Sequence, residues 1–180
     1  MLCQDAGVFD FLDTRNMNTV SHNILEGVTS SCKTRLLSRG GQFAIADVKG
    51  LLFAQYRPGG GQAVMLTLLP ESYFRGRDVS DFIEYQAHQL LVSCPGENEF
   101  YLVNRDGGKI TPIASLNQNY VTLGMQMMPG YETSFALVRD TRGIQLLDLK
   151  THKSNQLFLS ECNASFLDNR LFLCLYDSET

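Results

Sequence analysis

Apolar positions along the chain come in short runs of strand length, and polar turn residues close almost every run. The run Ser134–Val138 and the run Ile144–Leu149 flank the polar stretch 139–143, which ends in Gly143, and this arrangement predicts a β-hairpin. A turn at Lys150–Lys153 and a further strand at Ser154–Leu159 follow, and Val121–Met128, closed by Pro129-Gly130, precedes them. The same pattern predicts strands at 79–88, Gln89–Cys94, Phe100–Asn104 and Lys109–Ala114, and upstream at Cys32–Leu37, Gln42–Ala46, Leu51–Tyr56 and Gln62–Leu69. No segment carries apolar residues at i, i+3, i+4 and i+7 over three turns, so no amphipathic helix is expected.

The strands recur in groups. Asp13, Arg57, Asn104 and Asp148 each end a third strand just before a polar turn, and their spacings are 44, 47 and 44 residues. A period in the mid-forties with four strands per period is the pattern of propeller blades. The expected fold class is therefore all-β: a β-propeller of four-stranded antiparallel blades, either a closed four-bladed ring or an arc of a larger propeller. Full blades are expected at 30–71, 72–117 and 118–160. Residues 7–28 read as the third and fourth strands of one blade, and 161–180 as the first two strands of a last one. Joined, the two ends would make a composite blade and remove open sheet edges.

Residues 136–151 resemble the core of a WD-type repeat. In that family the third strand ends apolar-x-apolar-Trp-Asp before a turn rich in Lys, Thr and Gly. Here Leu147 and Asp148 take the Trp-Asp positions, and Leu149-Lys150-Thr151 begins the turn. Leu12-Asp13 and Val103-Asn104 repeat the likeness in other blades. The chain has no Trp and lacks the opening Gly-His pair, so the family's His-to-Trp hydrogen-bond network cannot be assembled here. A citron-homology-type propeller is the related alternative. The resemblance implies a repeat protein acting as a rigid platform for protein partners.

Composition narrows the function classes. With 44% hydrophobic and 19% charged residues, 180 residues fit one globular domain and not a disordered chain. A net charge of −4 with no basic run is poor equipment for a phosphate backbone, so no nucleic-acid partner is expected. No stretch of 18 apolar residues occurs, and no membrane insertion is expected. Five cysteines without a Cys-x-x-Cys pair predict neither a disulfide framework nor structural zinc. Residues 1–5 lack the features of a signal peptide. Together these features predict a reducing, cytoplasmic setting, with a nuclear one also compatible.

Catalytic signatures are absent: the sequence holds neither a Gly-x-Ser-x-Gly elbow nor a P-loop. The glycine cluster at 57–62 precedes a strand, not a helix, and reads as a hairpin turn. His22, His88 and His152 lie far apart, so no metal site and no cofactor are expected. The Met125, Met127 and Met128 cluster reads as strand packing. Asp47, Glu97 and Asp140 occupy equivalent second-to-third-strand turns and constitute the enzyme alternative, an acid-lined, hydrolase-like central site. The favoured reading is a non-catalytic protein–protein interaction scaffold. Its partner face is expected on the link 70–78, which carries Tyr73, Phe74, Arg75 and Arg77, together with Arg139 and Arg142, residue types common at interface hot spots. Tyr73 and Phe74 could instead pack beneath that link. Self-association, the remaining blades of a longer chain, or a regulatory module within a signalling or trafficking protein are the other partner readings.

Overall fold

The computed structural model describes the chain except for residues 1, 6, 13–14, 17, 29–32, 39, 87, 95–98, 106–108, 116–121, 129–133, 141–142, 159–161, 168–169 and 176–180. Among the described residues the chain is all-β, with one 3₁₀ turn at Glu71–Phe74 and no α-helix. It divides into two compact units, Met1–Val79 and Ser80–Thr180.

The first unit holds β1 (Leu2–Asp5), β2 (Val8–Leu12), β3 (Thr19–Ile24), β4 (Lys33–Leu36), β5 (Gln42–Asp47), β6 (Gly50–Gln55), β7 (Gly61–Gln62) and β8 (Val64–Pro70). They form two four-stranded sheets, ordered β1-β2-β3-β7 and β4-β5-β6-β8. The second sheet is the antiparallel meander read from the sequence, and its strands fall within a residue or two of the expected bounds. Two strands carry no sequence signal. β1 pairs antiparallel with β2, and the two-residue β7 joins β3 in parallel.

β5 and β6 are buried on both faces, so this sheet must be covered on both sides. Large and small side chains oppose each other across the pair: Phe43 faces Ala54, Ala44 faces Phe53, and Ala46 faces Leu51. Phe43, Ile45, Leu52 and Ala54 pack with Phe9, Phe11, Leu25 and Val28 of the first sheet and its flank. Phe43 meets Phe9 at 5.3 Å and Phe11 at 5.6 Å between ring centroids, and Tyr56 stacks on Phe11 at 4.5 Å.

A buried polar tie fixes the glycine-rich turn. Ser21 Oγ donates to the Arg57 carbonyl at 2.6 Å, and Asn23 Oδ1 accepts the Arg57 amide at 2.7 Å. The turn is thereby held on β3, and β7 follows from it. Gly50 shows why the β5–β6 turn needs glycine. Its φ is +122°, and a Cβ there would lie 2.1 Å from the Leu69 carbonyl oxygen.

The second unit holds β9 (Asp81–Gln86), β10 (Gln89–Ser93), β11 (Glu99–Asn104), β12 (Ile110–Ser115), β13 (Thr122–Met127), β14 (Phe135–Asp140), β15 (Gly143–Asp148), β16 (Lys153–Phe158), β17 (Cys162–Leu167) and β18 (Arg170–Leu175). β9 to β12 and β13 to β16 are two antiparallel four-stranded meanders, and β17 and β18 pair as a hairpin. Ile83, Leu91, Phe100 and Ile113 of the one sheet pack on Met125, Ala136, Val138 and Leu147 of the other.

The first strands of these two sheets lie side by side. Asp81, 1% exposed, accepts the Phe82 amide through Oδ1 at 2.9 Å and the Met125 amide through Oδ2 at 2.9 Å. Ser93 and Thr122 hydroxyls meet at 2.6 Å in the same buried seam. On the remote face, Arg105 lies 3.6 Å from Glu84 in a largely buried ion pair.

Removing the Asp81 carboxyl leaves two buried amides without that acceptor, a loss of about 3 kcal/mol. In thermal denaturation, Asp81→Ala is expected to melt roughly 6–12 °C below wild type, with Asp81→Asn between them. Gly50→Ala is expected to destabilise by at least about 3 kcal/mol, because strain and a backbone clash coincide there. Urea titration of the full chain measures it.

Candidate functional site

The link 70–78 is anchored before it is presented. Pro70 ends β8, the 3₁₀ turn follows, and Arg75 closes it in the left-handed region at φ 59°. The Arg75 amide reaches the Ser72 carbonyl at 3.3 Å and the Gly76 amide the Glu71 carbonyl at 3.0 Å. The Glu71 amide donates to the Lys49 carbonyl at 3.3 Å, so this link and the β5–β6 turn meet at one end of the sheet.

That anchoring divides the expected partner residues. Phe74 is fully buried and packs the link, so its ring is not available to a partner; this corrects its place on the expected binding face. Tyr73 is 52% exposed and Arg75 is exposed, while Arg77 is half-buried. Arg139 lies half-buried within β14, opposite Ile144, in the other unit. Arg142 falls outside the described residues.

The more extensive surface precedes the link. β8 is the outer strand of its sheet, and Val64, Met65, Leu66 and Leu68 are 41%, 55%, 47% and 39% exposed. Thr67 is exposed as well, so five successive residues face solvent on an edge with no charged side chain. Natural edges are ordinarily guarded by charge, proline or a covering element. Of these, β8 has only Pro70 at its end. Sequence reading places 62–69 as the last strand of the blade at 30–71 but gives no sign that five successive residues of it are exposed.

The acids of the enzyme alternative have local duties or lie outside view. Asp47 is buried, and its Oδ1 accepts the Lys49 amide at 3.0 Å, capping its own turn. Asp140 ends β14, and Glu97 lies outside the described residues. His22 Nδ1 sits 2.7 Å from Asp10 Oδ1 across the β2–β3 pair, with the imidazole half-exposed and the carboxyl nearly buried. His88 and His152 are exposed on turns of the second unit. Among the described residues no three His, Cys, Asp or Glu side chains gather into a cation-binding set. Cys94 is a buried thiol, and the other cysteines' side chains lie outside the described set.

Asp148, the residue carrying the repeat resemblance, closes its turn as an acceptor. Its Oδ1 takes the Lys150 amide at 2.8 Å and the Thr151 amide at 3.0 Å. These amides, Thr151 first, hold its carboxyl below the usual aspartate range.

No protein-family model matches the chain, and no curated protein matches it.

Because the folded-state pKa of Asp148 lies below the unfolded value, its contribution is complete above that value and is lost as pH falls through the folded one. The stability gap between wild type and Asp148→Ala is therefore expected to be steady at neutral pH. It should narrow below about pH 4. Denaturation at stepped pH measures the gap, and carboxyl NMR locates the titration.

Proposed function

We propose that the chain is a non-catalytic protein–protein interaction scaffold, whose four-stranded sheets are blades of a WD-like β-propeller, working in the cytoplasm. The repeat spacing and the antiparallel meanders support the blade reading, as does the first-strand contact between Asp81 and Met125, 44 residues apart, the same interval as two of the repeat spacings. In this reading the β17–β18 hairpin is part of a further blade.

The single observation that carries the interaction reading is the uncharged, apolar, uncovered edge of β8, which runs directly into exposed Tyr73 and Arg75. The occupant that fits is an extended segment of a partner protein, adding as a strand. Main-chain hydrogen bonds would supply affinity, and alternate apolar side chains would give specificity. An uncharged edge suits an uncharged, apolar segment. Tyr73 and Arg75 extend the contact beyond the strand.

The test compares proteins captured by wild type with those captured by Met65→Lys/Leu66→Lys and by Tyr73→Ala/Arg75→Gly. Glycine keeps the positive φ of residue 75. Both variants alter exposed side chains, so melting temperatures should stay within a few degrees of wild type. A partner lost from both variants and retained by Asp47→Asn supports the reading. Retention by all variants overturns it, and so does a concentration-dependent doubling of mass abolished by the β8 variant, which identifies the occupant as a second copy.

A further inference from the structure

Arginine stands three residues before a serine or threonine at two places in the chain, Arg35 before Ser38 and Arg77 before Ser80. Each serine has a further cation five residues before it, Lys33 in the one case and Arg75 in the other. Both runs, 33–38 and 75–80, lie within the described residues, and the fold treats them oppositely. We propose that Ser38 is a phosphorylation site for an arginine-directed serine kinase, and that folding withdraws Ser80 from the same enzyme. The site is independent of the β8 edge and of the scaffold reading.

The spacing sets the class of enzyme. Such a kinase reads an extended segment, and its carboxylates pair with the basic side chains upstream of the acceptor. β4 already has the extended form, and it is the outer strand of its sheet on the side opposite β8. Lys33 and Arg35 are two positions apart, so they share one face of the strand. Lys33 and Leu36 are exposed, and Arg35 is half-buried. Ser38 follows in the turn toward β5 and is exposed. The base of that turn is fixed. The Leu37 amide donates to the Gln42 carbonyl at 2.9 Å, and the Tyr56 amide to the Gly41 carbonyl at 2.8 Å. A Cβ on Gly40 would meet nothing within 4 Å, so the turn borders open space.

Ser80 has the stronger basic pair, two arginines, and the poorer exposure. Its hydroxyl donates to the Ser93 carbonyl at 2.9 Å and lies 3.2 Å from the Ser93 hydroxyl. Its amide donates to the same carbonyl at 2.8 Å. Val79 before it is 8% exposed, and Asp81 and Phe82 after it are 1% and 0% exposed. Presenting Ser80 to a kinase would pull the start of β9 from its sheet and break the bond from Asp81 to the Met125 amide. Residue types alone rank Ser80 first, and burial reverses the order.

In the transfer, Ser38 Oγ bonds to the γ-phosphorus of magnesium-bound ATP. The bond from that phosphorus to the bridging oxygen breaks, ADP leaves, and the hydroxyl proton passes to the kinase's own aspartate. The product carries about two negative charges on the exposed turn, three residues after Arg35.

The test incubates the full chain with magnesium-ATP and an arginine-directed serine kinase, and maps the product by fragment mass spectrometry. Peptides 31–42 and 73–84 are treated alike. In the folded chain Ser38 is expected to react at least about tenfold faster than Ser80, whereas both peptides should be modified. Arg35→Gln should slow Ser38 by at least about tenfold, and Lys33→Gln severalfold, through loss of charge-assisted contacts with the enzyme. The phosphorylated chain should melt within a few degrees of the unmodified one, because the modified residue is exposed. Reaction of Ser80 at the rate of Ser38 in the folded chain overturns the proposal. So does indifference to Arg35→Gln, an unmodified Ser38 in a chain whose 31–42 peptide reacts, or failure of the 31–42 peptide itself.

Discussion

The structure depends on strands that are apolar on both faces. β5 and β6 bury side chains above and below their sheet, and β10 has the same character. Such a sheet cannot leave either face in water without exposing a row of Phe, Leu and Ile. It is stable only when covered on both sides. Sheet-on-sheet packing within each unit follows from this, and so does the pairing of Phe43 with Ala54 and Ala44 with Phe53. Alternating bulk keeps the sheet evenly thick and lets neighbours approach on either side.

Polar groups act where the apolar faces meet. Asp81, Ser93 and Thr122 lie in the seam between two sheets, and Ser21 and Asn23 tie a distant turn to β3. Each is a buried polar group with a partner, and a partnered group is tolerated in an apolar seam where an unpartnered one is not. They set the relative position of elements that hydrophobic packing alone would leave free to slide.

The strands and turns were legible because their signals are local. Short apolar runs and turn residues mark β5, β6 and β9 to β16, and the mid-forties interval groups them into sheets. What escaped was non-local. β7 is two residues with no pattern of its own, and it pairs with β3 beside a turn tied there by Asn23, 34 positions from Arg57. Tyr73 and Phe74 are adjacent aromatics in one link, and only the packed structure separates the exposed ring from the buried one. The exposure of successive residues in Val64–Leu68 depends on what packs against the strand, which its own sequence does not encode.

The grip of Asp81 on the neighbouring sheet has an evolutionary reading. It holds a main-chain amide, which every residue except proline possesses, and is indifferent to the side chain that residue 125 carries. A joint of this kind lets the two sheets of the second unit change their side chains without losing their mutual alignment. Sheets joined through peptide groups can keep their packing while the residues around the joint are replaced.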